Sequence, residues 1–163
     1  MTLYLIDANV LIRAHGDYYP IDRIFPFWEW LLEQANSGRI AMPHEIYNEV
    51  ARSPDLLGQW LRRADVKTAI ILAEATNGQS VSQVTANCYA PDLDDVEVEK
   101  IGRDPFLIAA ALQAADRVVV TREVSSPRKT RANRKVPDAC TIAGVPSIDD
   151  FELWRRLDFR IVT

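Results

Sequence analysis

Hydrophobic and polar positions along this chain alternate between short apolar runs and longer stretches of helical spacing. Leu3 to Ile6, Ile40 to Met42, Val118 to Val120 and Val145 to Ile148 are short apolar runs of the kind that form strands buried on both faces. Between them, Phe27, Trp28, Trp30, Leu31, Leu32 and Ala35 recur as one face of a helix, with Pro26 in its first turn and Gly38 at its end. Pro43 predicts the start of a helix carrying Ile46, Tyr47 and Val50. Leu56, Leu57, Trp60 and Leu61 repeat with the same period. Val66 to Tyr89 reads as one long helical stretch, with Gly78 a candidate interruption and Pro91 closing it. Phe106 to Ala115 reads as an Ala-rich helix, and Phe151, Leu153 and Trp154 lie on a last one. Strands and helices in alternation imply a three-layer α/β/α sandwich with a largely parallel central sheet of about four to five strands. The tryptophans at 28, 30 and 60 fit core or interface positions better than a base-stacking platform.

Length and composition narrow the class. The 163 residues fit a single domain, residues 1–163, able to bury roughly 70% of its unfolded surface. The longest apolar stretches are broken by Asp7, Glu29 or Lys67, so no segment predicts a membrane span, and no leader pattern opens the chain. The expectation is a cytoplasmic protein with no membrane partner. Cys88 and Cys140 are far apart and in no metal-type spacing, which suits buried reduced thiols. With His15 and His44 the only histidines, any metal here is expected to be held by oxygen.

The net charge of −4 conceals an uneven distribution. Asp92, Asp94, Asp95, Glu97 and Glu99 form an acidic loop. Arg122, Arg128, Lys129, Arg131, Arg134 and Lys135 form a basic one, which reads as solvated, mobile and able to track a phosphate backbone or to pair with the acidic segment.

The candidate chemistry lies in four acids. Asp7 ends the first apolar strand, where open α/β sheets place their ligands, although Asp7 or Asn9 can also simply cap the next helix. Glu49 shares a helical face with Glu45, four residues earlier. Asp104 precedes Pro105 and reads as an N-cap with proline at the first helical position. Glu123 follows the Val118–Val120 strand by three residues. Parallel strands joined by right-handed crossovers bring Asp7, Asp104 and Glu123 to one sheet edge, and Glu49 joins them if its helix crosses that edge.

Leu5-Ile6-Asp7-Ala8-Asn9-Val10-Leu11-Ile12, Glu49, Asp104-Pro105-Phe106-Leu107-Ile108-Ala109-Ala110-Ala111 and Val119-Val120-Thr121-Arg122-Glu123 resemble, in order, the acidic motifs of PIN-domain nucleases. The resemblance runs from Leu3 to about Ile148 and is nearest to the endoribonuclease toxins of type II toxin–antitoxin systems. It implies a PIN-like fold and a metal-dependent ribonuclease holding one or two Mg²⁺ or Mn²⁺ ions. By the same resemblance Asp7, Glu49, Asp104 and Glu123 are the metal-binding and catalytic acids, and Asn9 and Thr121 are supporting polar groups. The implied partners are an RNA substrate, a protein antitoxin and a second copy of the chain, for which the exposed face of the Trp28 and Trp60 helices is a candidate. The fourth acid is more often Asp in such proteins, which makes Asp138 the substitute for Glu123. The basic segment is longer than in a minimal member. Two alternatives stand beside this reading. One is a catalytically inert PIN-like module that binds RNA or an antitoxin; the other is a phosphotransfer enzyme with Asp7 as nucleophile, which Asn9 disfavours where a second Asp is wanted.

Overall fold

A computed structural model describes residues 1–162. Four strands, β1 (Leu3–Ile6), β2 (Ile40–Ala41), β3 (Arg117–Val120) and β4 (Ser147–Ile148), form one all-parallel sheet in the order β2-β1-β3-β4. The helices are α1 (Ala8–Arg13), α2 (Phe25–Asn36), α3 (His44–Ala51), α4 (Leu56–Leu61) and α5 (Ala64–Ile70). They continue with α6 (Gly78–Val84), α7 (Asp95–Ile101), α8 (Asp104–Leu112), α9 (Val136–Ala143) and α10 (Asp150–Arg156). The result is the expected α/β sandwich.

The strand order fixes where a site can form. From β1 the chain crosses to β2 on one side, whereas from β3 it crosses to β4 on the other. Right-handed crossovers therefore send these two connections to opposite faces and leave a crevice between the C-terminal ends of β1 and β3. The strands are short and wholly apolar inside, with Leu5, Ile6, Val119 and Val120 fully buried. They serve as a floor under that crevice.

Three expectations are corrected. The stretch from Val66 to Tyr89 is not one helix: α5 ends at Ile70, and Ile71 pairs with Met42 as a parallel bridge at the sheet margin before α6 begins. Apolar β-branched residues at 70 and 71 satisfy either period, and the free backbone groups of Met42 decide, accepting from Leu72 N and donating to Ile70 O. The acidic loop is in large part helix α7, opened by a capping box in which Asp94 and Glu97 exchange side-chain and backbone bonds. The basic loop is not simply solvated. Ala132 is buried, Arg131 grips Glu97 and Asp92, and Arg134 donates to the Cys88 carbonyl at 2.8 Å.

The tryptophans lie in the core. Trp28 and Trp60 are buried against each other with ring centroids 4.9 Å apart, and Trp30 joins Phe27, Trp154 and Phe159. Cys88 and Cys140 are buried free thiols. No described helix is long and apolar enough to cross a membrane.

Candidate active site

Asp7 follows directly on β1, and its carboxylate is held from three directions. One oxygen accepts the Ala8 N–H at 2.8 Å; the other accepts the Thr121 hydroxyl at 2.9 Å and the Asn9 amide at 3.2 Å. Thr121, 2% exposed at the end of β3, also accepts from the Glu123 N–H, and Asn9 accepts the Arg122 N–H. Asn9 and Thr121 thus lock the ends of β1 and β3 together and orient Asp7. Burial pushes the Asp7 carboxyl up to about 6; the Thr121 and Ala8 bonds oppose the shift, and the charges of Glu123 and Glu49 add to it.

Asp104 is a different kind of acid. It is not the cap of its helix: Arg103 occupies that position, Asp104 is the first helical residue and Pro105 the second. Proline fixes only its own φ and tolerates either place in the first turn, so the sequence could not separate the two registers. Freed from capping, the Asp104 side chain makes no hydrogen bond among the described residues. Burial, then the charges of Asp7, Glu123 and Glu49, push its carboxyl up to about 8, with Lys135 opposing.

Glu49 stands exposed on α3, near enough to act on both Asp7 and Asp104. Its own carboxyl is raised by partial burial, against the pull of Arg103 and Arg52. Glu45, one turn earlier, has a buried carboxylate oxygen without a hydrogen-bond partner. Glu123 accepts the Val136 N–H at 2.6 Å, which ties it to the start of α9 while its charge reaches Asp7 and Asp104. Asp138 has both carboxylate oxygens engaged, accepting from the Ser125 hydroxyl and the Ser126 N–H. Of the two candidates for fourth acid, Glu123 is the one in electrostatic contact.

Burial raises the Tyr89 hydroxyl and leaves it without a hydrogen-bond partner; it borders the same acids. Cys140 is likewise buried beside them, its thiol pushed up to about 12 by burial, with Cys88 and the acids adding to it. It remains a neutral wall residue.

All four acids are oxygen donors and Asp104 lacks any protein partner, so the chemistry of the set suits a hard divalent cation. No three His, Cys, Asp or Glu side chains among the described residues converge into a ready-made cage. The fit is to an ion that keeps several of its waters and touches few carboxylates directly.

The six cations expected to hold phosphate have divided roles. Arg122 is spent on Asp150, at 2.8 Å, with its guanidinium over Phe151. Arg131 is spent on α7 and Arg134 on the Cys88 carbonyl. Arg128, Lys129 and Lys135 make no ion pair among the described residues, and Lys135 lies close enough to act on Asp104. Sequence reasoning missed Asp150, a fully buried acid, because Asp149-Asp150 before an apolar helix reads as ordinary capping. It also missed Arg103 and Arg52, whose only signal was their nearness in sequence to Asp104 and Glu49.

Residues 4–161 match the profile of a family described as a domain of unknown function, DUF4411. No curated protein matches the chain significantly.

Proposed function

The chain belongs to the DUF4411 family, and as that description carries no activity, we propose from the site itself that the protein is a metal-dependent endoribonuclease. The observation that carries this reading is that acids from four segments act on one another near the topological switch point, one of them, Asp104, half-buried and without a hydrogen-bond partner. A fold that only needed stability would have an apolar or paired residue there.

Asp7 and Asp104 would hold one or two Mg²⁺ or Mn²⁺ ions. A bound ion of this kind supplies an activated water at neutral pH and offsets charge on the phosphoryl oxygens. The protein's own groups do the remaining work. Thr121 and Asn9 keep Asp7 from rotating. Lys135 faces the acid group and offsets the negative charge that a phosphodiester brings. Glu49, exposed at the mouth and flanked by Arg52 and Arg103, takes the proton of the attacking water. Glu123 keeps the start of α9, and with it Lys135, in place. Water adds to phosphorus, the bond to the departing ribose oxygen breaks, and that oxygen takes a proton from solvent water while Glu49 returns the one it took to solvent.

The resemblance to PIN-domain toxins extends this proposal to a cytoplasmic toxin of a type II toxin–antitoxin pair, with a protein antitoxin and a homodimer as partners. The absence of a tight carboxylate cage favours one second reading, an inert module that binds RNA or an antitoxin.

Incubation of a labelled RNA with the purified protein in Mn²⁺, in Mg²⁺ and in EDTA separates the two. Cleavage is expected with either ion, to vanish in EDTA, and to fall by about a thousandfold or more in Asp7→Asn and in Asp104→Asn. Binding without cleavage supports the inert module. A stable aspartyl-phosphate on Asp7 would point to phosphotransfer instead.

A further inference from the structure

A groove of about 480 Å³ runs between α3, α4 and α5, lined by Tyr47, Asn48, Ala51, Arg52, Arg62 and Lys67. Its lining contains three cations and no acid, in a chain whose net charge is −4. Arg52 and Lys67 are exposed and make no ion pair among the described residues. Neither is held in an ion pair, unlike Arg122 and Arg131, and what sets them apart from the unpaired Arg128 and Lys129 is that they line a concave surface.

Arg62 is fixed rather than free. Its Nη1 donates to the carbonyls of Ala51 and of Ser53, the latter at 2.7 Å, where the chain turns out of α3. Gly58 makes this possible. A Cβ there would lie 1.9 Å from the Ser53 oxygen and 2.9 Å from Arg62 Nη1, so α4 can pack on that turn only with glycine at 58. Tyr47 closes the floor, its buried hydroxyl donating to the Leu61 carbonyl at 2.6 Å. The groove is a rigid concavity with cations around it.

It also leads somewhere. Arg52 acts on Glu49, and so does Arg103 from the start of α8. Arg52, which lines the groove and closes α3 three residues after Glu49, thus links the groove to the acid at the candidate site. Glu49 and the groove residues Asn48 and Arg52 lie within one turn at the end of α3, so the groove adjoins the candidate site.

We propose that this groove, and not the basic loop, is the track for a single-stranded RNA backbone, with Arg52 and Lys67 contacting phosphates and Arg62 shaping the floor. About two phosphates are neutralised, one by each of Arg52 and Lys67. This rests on the nuclease reading for the choice of RNA, but the track and the chemistry fail separately.

The test is fluorescence anisotropy of a labelled single-stranded RNA in EDTA, so that nothing is cut, across a salt series. Arg52→Gln with Lys67→Gln is expected to weaken binding about tenfold and to lower the salt slope by about 1.4, or about 0.7 for each lost contact. Arg128→Gln with Lys129→Gln is expected to change affinity less than about twofold. The exchange Arg52→Lys with Lys67→Arg is expected to keep most of the affinity, which separates lost charge from lost folding. Unchanged binding in the Arg52/Lys67 double variant, loss confined to the loop variant, or tighter binding of poly-glutamate than of RNA overturns the proposal. RNA binding through the groove with no metal-dependent cleavage overturns the nuclease and leaves the track. Cleavage with binding indifferent to Arg52 and Lys67 does the reverse.

Discussion

Asp104 and Asp150 both begin helices, and the fold treats them in opposite ways. Asp150, fully buried behind β4, accepts from Arg122 and from the Phe151 N–H, each at 2.8 Å. Asp104 has no such partner, faces three other acids, and has a carboxyl pushed up to about 8 by its burial and by them. Asp150 shows that this chain can pair a buried acid with a nearby arginine through one oxygen, while Asp150 Oδ2 and Arg122 Nε stay buried without a partner. Arg103, adjacent to Asp104, instead lies over Phe106, 5.6 Å from the ring centroid, and acts on Glu49. The difference teaches that mutual repulsion between acids gathers around Asp104 and Asp7, where a ligand can relieve it.

The comparison breaks most severely at Asp150. Asp150→Ala leaves Arg122 facing an uncompensated cavity, and a loss of about 3–5 kcal/mol is expected from urea unfolding. Replacing both partners by apolar residues should recover much of it; a loss below about 1 kcal/mol would put Asp150 on a par with surface pairs.

Asp104→Asn should act in the other direction. Without metal at pH 8 it removes a disfavoured charge, with an expected gain of about 1–2 kcal/mol, while RNA cleavage disappears. Mn²⁺ should raise the melting temperature of the wild type and do so less in this variant. An equal rise in both would move the ion away from Asp104.

The pH dependence follows from the same acids. Unfolded aspartates release their protons near pH 4, whereas folded Asp7 holds its proton to about 6 and Asp104 to about 8. Across this window the folded state binds more protons, so metal-free stability should rise as the pH falls from 8 to 5 and decline as it is raised again. Melting curves in EDTA would record it. Asp104→Asn should flatten the upper part of the slope and Asp7→Asn the lower part. A wild type whose stability increases toward pH 8 would contradict the raised carboxyls.

The smallest effect belongs to Arg131. Its pairs with Glu97 and Asp92 are exposed and screened by solvent, and Arg131→Gln should leave the urea midpoint nearly unchanged. A clear drop in that midpoint would make the α7 contact essential to the loop.

Much of the site was legible beforehand for a specific reason. A carboxylate at the end of an apolar strand violates local burial preference, so Asp7 stands out, and Asn9 and Thr121 stand three residues and one residue past the ends of strands. Glu49 carries no such signal; its place depends on how α3 crosses the sheet edge. The capping of α8 was misread because one residue of register changes nothing in the pattern. Partners for the basic segment were invisible because charge pairing across 34 residues, as in Arg131 and Glu97, has no period.

By itself, the sequence determined the alternation of strands and helices, the parallel sheet and the acid at the end of β1. Burial of apolar runs and helical period are local properties, readable one segment at a time. Only the tertiary structure decided which acids meet, which cations are already taken and where uncompensated positive charge remains. Those outcomes depend on distances between segments remote in sequence, and Coulomb energies depend on separation in space.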